Sequence, residues 1–172
     1  MLSIPFLKEL YRHMEWADSK VWGAIVQRNE AVEDSEVCNR LYHSHATQQG
    51  FLQLWIEGPV DRYDPSRFPS LSEMYDWAKS YYNNVRDFLN NLDETQLEKG
   101  LPVPWAMMFE RQLGQKPEPT TLVETMFQVA NHTTYHRGQI NARLRQLGGE
   151  PPLVDYIAWI WGGRPEPEWE VF

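Results

Sequence analysis

Apolar residues return at three- and four-residue intervals through four long stretches of this chain, the spacing that gives a helix one buried face. The first stretch runs from about Ile4 to Gln27, with Phe6, Leu10, Met14, Ala17, Val21 and Ala24 as its stripe. Ser3 stands before it as a candidate N-cap, and Pro5 falls in the first turn, where a missing N–H costs nothing. The second begins near Asp34 or Ser35 and stops at Gly58-Pro59, a strong terminator. The third opens with Ser70-Leu71-Ser72-Glu73, a capping-box pattern, and carries Leu71, Met74, Ala78, Tyr81, Val85, Phe88 and Leu92 on one face. The fourth opens with a second such pattern, Thr121-Leu122-Val123-Glu124, and ends at Gly148-Gly149. Four helices of this kind predict an all-α four-helix bundle, read as a single domain over residues 1–172.

The third and fourth helices are separated by a long connection, Asp93 to Pro119, containing Pro102, Pro104, Pro117 and Pro119. Connections that long carry function or short structure of their own. Val103 to Leu113 is read as a hairpin or a lid, though its alternation is poor. After Gly149 come Pro151 and Pro152, then an apolar piece from Leu153 to Trp161 predicted as one or two helical turns. The tail from Gly162 to Phe172 either packs on the bundle or is partly disordered.

Composition narrows the function. The chain has 24 acidic and 16 basic residues, a formal charge of −8, which makes it a poor partner for nucleic acid or an anionic membrane. No stretch approaches the roughly 20 apolar residues of a membrane span, and the N-terminus lacks a secretory pattern. With one cysteine, Cys38, there is no disulfide framework. A cytoplasmic protein is expected. Eight tryptophans, together with Trp77, Tyr82, Trp105 and Trp169, which read as exposed, point to an interface, and a homodimer is expected.

The chemistry concentrates in the fourth helix. Its apolar stripe, Leu122, Met126, Val129, Ile140, Leu144 and Leu147, is interrupted by Asn131-His132-Thr133-Thr134-Tyr135-His136-Arg137-Gly138-Gln139. His136 falls on the apolar face and His132 one turn earlier, about 40° round the helix. Buried imidazoles without partners cost about 2–7 kcal/mol each, and a shared metal ion would answer for both. A zinc-protease reading fails because no glutamate stands between them. An open metal site wants a third protein ligand. His13 reads as structural or surface. His43 and His45 point to nearly opposite sides of the second helix, and helix periodicity favours His45, which shares a face with Leu41, Leu52 and Ile56. Cys38 reads as structural. Glu15, Asp18, Asp87, Glu94 and Glu124 read as solvated or capping, so no catalytic carboxylate pair is assigned. Phosphate-loop, dinucleotide and serine-hydrolase motifs are absent.

The string His132-x-x-x-His136-Arg137-Gly138-Gln139-Ile140, followed by Leu144-Arg145-x-Leu147-Gly148 and Pro151-Pro152-x-x-Asp155, closely resembles the fourth helix of the DinB/YfiT-like superfamily of four-helix-bundle metalloproteins. Glu15-Trp16-Ala17-Asp18 is similar to that family's first-helix segment. Leu41-Tyr42-His43, then Gln48, Phe51-Leu52 and Trp55-Ile56-Glu57-Gly58, resembles its second. The resemblance implies a divalent metal, zinc or nickel, on three histidines, two of which carry over to His132 and His136. In the family register, Tyr42, Phe51 and Leu52 place the third at His43, against the periodicity that favours His45. Characterised relatives include transferases and isomerases that use low-molecular-weight thiols.

These readings converge on a metal-dependent enzyme acting on a small molecule, with transfer of a low-molecular-weight thiol to an electrophile as the specific expectation. A metal-dependent hydrolase and a non-catalytic metal-binding protein are the alternatives. Tyr135, Arg137, Gln48 and Asn131 are candidates for contacts around the metal or the substrate, or for packing. Gly138 is read as permitting close helix approach, and the Asp93–Pro119 connection as a cover for the metal's open position.

Overall fold

A computed structural model describes residues 2–60 and 64–169. Four long helices dominate it: α1 (Ile4–Val26), α3 (Ser35–Trp55), α4 (Leu71–Asn91) and α6 (Leu122–Gln146). Three short ones, α2 (Asn29–Val32), α5 (Glu110–Leu113) and α7 (Tyr156–Trp161), lie between or after them. The fold class expected from the hydrophobic pattern is the one observed.

The helix starts are fixed by side-chain caps. Ser3, Asp34, Ser70 and Thr121 each accept a hydrogen bond from a backbone N–H of the first turn, satisfying a donor that the helix cannot. At Thr121 the box is closed reciprocally, with the Glu124 carboxylate accepting the Thr121 N–H at 2.7 Å. At Ser70 only the forward bond to the Glu73 N–H forms.

Cross-helix pairs give the topology. Asp18 meets Arg137 while Tyr11 meets Met126, so α1 and α6 run parallel. Glu36 meets Arg143 while Trp55 meets Thr125, so α3 and α6 run antiparallel. Glu15 meets Arg86 and Asp18 meets Tyr82, so α1 and α4 are antiparallel too. The bundle is therefore up, down, down, up, with α3 and α4 parallel. The end of α3 and the start of α4 therefore lie at opposite ends of the bundle, and α3's 21 residues span about 31 Å. At about 3.3–3.6 Å per residue the connection 56–70 is long enough to join them. Each of the pairs α3/α6, α6/α1, α1/α4 and α4/α3 packs together, so the α3/α6 seam lies across the bundle from the α1/α4 seam.

Two clusters fill the centre. One gathers Leu7, Tyr11, Met14, Phe51, Trp55, Tyr81, Val85, Leu89, Met126 and Val129; the other gathers Val21, Trp22, Ile25, Val37, Leu41, Met74, Ala78, Ile140 and Leu144. The long connection departs from its sequence reading. Its hairpin is not Val103–Leu113 but the base of the loop, where β1 (Gly100–Leu101) pairs antiparallel with β2 (Thr120–Thr121). Between them lie a 3-10 turn, Ala106–Phe109, and α5, matching the poor strand alternation there.

The C-terminal segment packs on the bundle as far as Trp169. Trp159 is buried against Trp16 and Ala17, and Trp169 sits between Tyr75 and Tyr82. Of the aromatics read as exposed, Tyr82 is buried and Trp77, Trp105 and Trp169 are half-buried. The apolar side chains that do face outward are others, including Met107, Met108, Phe109, Phe127 and Tyr135. Among the described residues no helix is long and apolar enough to cross a membrane.

Candidate metal centre

The buried stripe of α6 runs through Met126, Val129, Thr133, Arg137, Ile140 and Leu144. Thr133 and Arg137 thus continue the core face across the polar interruption, and His132 and His136, each one residue or about 100° away, stand on its flank. This corrects the sequence reading, which put His136 on the apolar stripe. The two rings emerge where α6 faces α3, at the edge of the core.

Opposite them on α3 is His43. Its ring centroid lies 5.1 Å from that of His132 and 4.6 Å from that of His136, and the two α6 rings are 4.3 Å apart. One nitrogen of each imidazole lies within 4.8 Å of the other two. His43 is exposed while His132 and His136 are half-buried. The face of α3 favoured by periodicity turns inward instead and carries His45, 2% exposed, away from this cluster.

Electrostatics keep the two α6 histidines neutral. Burial, reinforced by the charges that His136 and His43 would carry, lowers the His132 pKa to about 4. Burial and His43 lower that of His136 as well. The His136 Nδ1 hydrogen-bonds to the Gln139 amide oxygen at 2.9 Å. An amide oxygen only accepts, so the proton is on Nδ1 and Nε2 keeps its lone pair. The Nδ1 of His132 is buried with no hydrogen-bond partner. Neutral imidazoles, one oriented by an amide and one with an orphaned nitrogen, suit a divalent transition metal. Among the described residues no carboxylate joins the cluster. Glu36, in the shallow groove of about 390 Å³ beside it, is held by Arg40 at 2.6 Å.

Behind the histidines lies a second polar constellation, entirely buried. The Arg137 guanidinium donates to the Asp18 carboxylate at 2.6 Å and reaches the Met14 carbonyl. The Tyr82 hydroxyl donates to the other Asp18 oxygen, and burial beside that carboxylate raises the phenol pKa well above its ordinary value. Gln48 donates to Asp18 at 3.0 Å and to Thr133 at 3.1 Å, and its amide oxygen accepts from the His45 Nδ1 at 2.8 Å. The His45 Nε2 accepts in turn from the Trp22 indole at 3.0 Å. Four helices are pinned together by these contacts.

Several sequence candidates therefore move. Arg137 and Gln48 belong to this interior network and face away from the metal cluster, and Asp18, read as solvated or capping, is its centre. Tyr135 is 63% exposed and packs its ring against His136 at 5.1 Å, while Asn131 bonds back to the Phe127 carbonyl. His13 is structural: its Nε2 donates to the Val154 carbonyl at 2.9 Å and its ring lies against Tyr156 and Trp159. Cys38 is half-buried with its thiol toward the Val32 carbonyl. An added Cβ at Gly138 would meet nothing within 4 Å, so close helix approach does not explain that glycine. The Asp93–Pro119 connection is anchored by Trp105 on Phe51, eight residues or about 12 Å along α3 from His43, and none of it lines the groove. Gln139, not assigned a role from sequence, had a signal: it stands three residues after His136, one helical turn away.

The DinB family model matches residues 69–169. The chain belongs to the DinB family. The match takes in His132 and His136 and begins beyond α3, so the place of His43 beside them rests on the geometry above. No match to a curated protein accompanies it. Family membership and the three-histidine cluster together fit a metal-binding protein, and this donor set is one for a divalent ion.

Proposed function

We propose that this DinB protein is a metal-dependent enzyme that joins a low-molecular-weight thiol to an electrophile, with His43, His132 and His136 holding a zinc or nickel ion. The observation that supports it most is the donor set: three imidazoles, ligands that bring no charge of their own, beside a solvent-open groove, with no anion of the described residues among them. Such a set leaves positive charge uncancelled and a four-coordinate ion one ligand short, and a substrate thiolate supplies both. When bound, the ion would lower the thiol's pKa and hold it as a thiolate at neutral pH. The protein's own contribution is to keep His132 and His136 unprotonated by burial and to fix His136 through Gln139. The thiol proton leaves to solvent, sulfur forms a bond to the electrophilic carbon, and the leaving group departs with its electron pair.

A hydrolytic reading needs a carboxylate base near the histidines. The one in the groove, Glu36, is engaged by Arg40 and approached by Arg143 at 3.5 Å, which weighs against it.

The test begins with metal content after purification. His43→Ala, His132→Ala and His136→Ala should each lose the metal, whereas His45→Ala should keep it. The metal-loaded protein is then given a panel of small thiols and a chromogenic electrophile. Thiol conjugation that disappears in His132→Ala supports the proposal. Equal rates for both proteins across the panel overturn it, and product release without thiol favours hydrolysis.

A further inference from the structure

We infer that the groove between α1 and α4, beneath the C-terminal segment, is a second ligand site that takes a small amphipathic carboxylate. It lies on the seam across the bundle from the histidines and owes nothing to them. Its volume of about 300 Å³ is at the lower end of the roughly 300–1,000 Å³ typical of small-molecule sites. Tyr11 from α1 and Val85 and Leu89 from α4 give it apolar walls, and Pro165 and Pro167 close over it.

The charge at its rim has the opposite sign to the chain as a whole. Lys8, Arg12 and Arg86 line the groove against two carboxylates, Glu15 and Glu166, in a protein whose formal charge is −8. Both acids are occupied. Glu15 takes the Arg86 guanidinium at 2.6 Å on one oxygen and the Trp169 indole at 3.3 Å on the other, and Glu166 takes Arg12 at 2.6 Å. Lys8 has no ion-pair partner among the described residues. The Arg12 and Arg86 side chains remain 48% and 51% exposed. A guanidinium carries five N–H donors and can serve a second carboxylate without giving up the first. Three cations beside an apolar slot call for an anion with an apolar body. The head would sit on Lys8, Arg12 and Arg86, and the body between Tyr11, Val85 and Leu89 under the prolines.

The test uses the full chain and three probes, sodium octanoate, octan-1-ol and sodium acetate, titrated calorimetrically. Octanoate should bind one-to-one with a dissociation constant of about 1 mM or tighter, and the alcohol and acetate at least about tenfold more weakly. Lys8→Gln and Arg12→Gln should each weaken octanoate about tenfold, the loss of one charge-assisted contact. Arg12 and Asn90 are exposed and Lys8 half-buried, and removing a surface ion pair costs the fold little, so these variants remain folded. Asn90→Trp, which narrows the mouth of the groove from its exposed rim, should abolish binding. His136→Ala should bind octanoate as the parent does. No saturable heat with octanoate, an affinity unchanged in Lys8→Gln, Arg12→Gln and Asn90→Trp, or equal affinity for octan-1-ol would each overturn the proposal.

Discussion

Two histidines two residues apart on α3 end in opposite situations. His45 is buried with both nitrogens satisfied, one by Gln48 and one by Trp22. His43 is exposed and faces two further imidazoles, one of which has a buried nitrogen with no partner. The same contrast holds for the groups around them. The Asp18 constellation ties its polar side chains to one another across four helices, as buried polar groups must be tied if they are to hold a fold. The His43–His132–His136 cluster is left short of bonds at the surface. Saturation marks the part that holds the molecule together, and the gathered imidazoles mark the part that fits a metal ion.

The sharpest way to break that contrast is to unpair the interior. In Arg137→Leu the Asp18 carboxylate keeps Tyr82 and Gln48 but loses its cation while still buried. Removing one partner of a buried ion pair typically costs about 3–5 kcal/mol, and Arg137 and Asp18 are 4% and 7% exposed. Urea denaturation of the metal-free proteins should show that loss for Arg137→Leu, while His136→Ala, at the half-buried edge, stays within about 1 kcal/mol of the parent. Equal losses for the two would mean that the histidine cluster is as structural as the network.

Acid should act on the cluster in the metal-free protein. A histidine in the unfolded chain takes up a proton as pH falls below about 6.5. Folded His132 does not until about pH 4, so between these values the unfolded state binds more protons. Stability therefore falls as pH falls from about 6.5 to about 4, by up to about 3 kcal/mol before solvent at the half-buried ring trims it. Above pH 6.5 the ring contributes no slope. Burial lowers the pKa of His13 and His45 too, which adds to the loss in the same direction. Thermal unfolding followed across this range should show a shallower fall for His132→Ala than for the parent. Parallel curves would show that the His132 ring is as easily protonated in the folded chain as in the unfolded one.

The four long helices were legible because their signals are local. A cap and a three- to four-residue repeat can be read within one segment, and Ser3, Ser70 and Thr121 all cap where expected. The α6 histidine pair was legible for the same reason. The Asp18 network was not, since its members come from four helices and nothing within one segment pairs Asp18, Gln48, Tyr82 and Arg137 with one another. That blindness also misplaced the α6 face. With Thr133 and Arg137 discounted as polar, the stripe lost two of its turns and His136 was drawn onto it. On α3 the apolar repeat followed His45 correctly inward, but inward led to Gln48 and Trp22. The three histidines meet along the α3/α6 seam, and only the packing of the two helices shows that.

The smallest expected effect concerns the residue between the two regions' helix-six representatives, Gly138, which follows Arg137 and precedes Gln139. Glycine inside a helix costs about 0.5–1 kcal/mol relative to alanine, because its unfolded backbone has more freedom to lose. At Gly138 the structure offers no offsetting need: the residue is exposed, in the interior of α6, and a Cβ would meet nothing within 4 Å. Gly138→Ala should therefore raise stability by roughly that amount. It should also leave metal content unchanged, since the added methyl would touch neither Arg137's partners nor the imidazoles. Denaturation midpoint and metal content, measured on the same preparations, separate the possibilities. A drop in stability would show that the helix is more tightly overlaid at this point than described. A gain in stability with loss of metal or turnover would show that something approaches the bare backbone during function, and would carry the active region beyond the three histidines onto the outer face of α6.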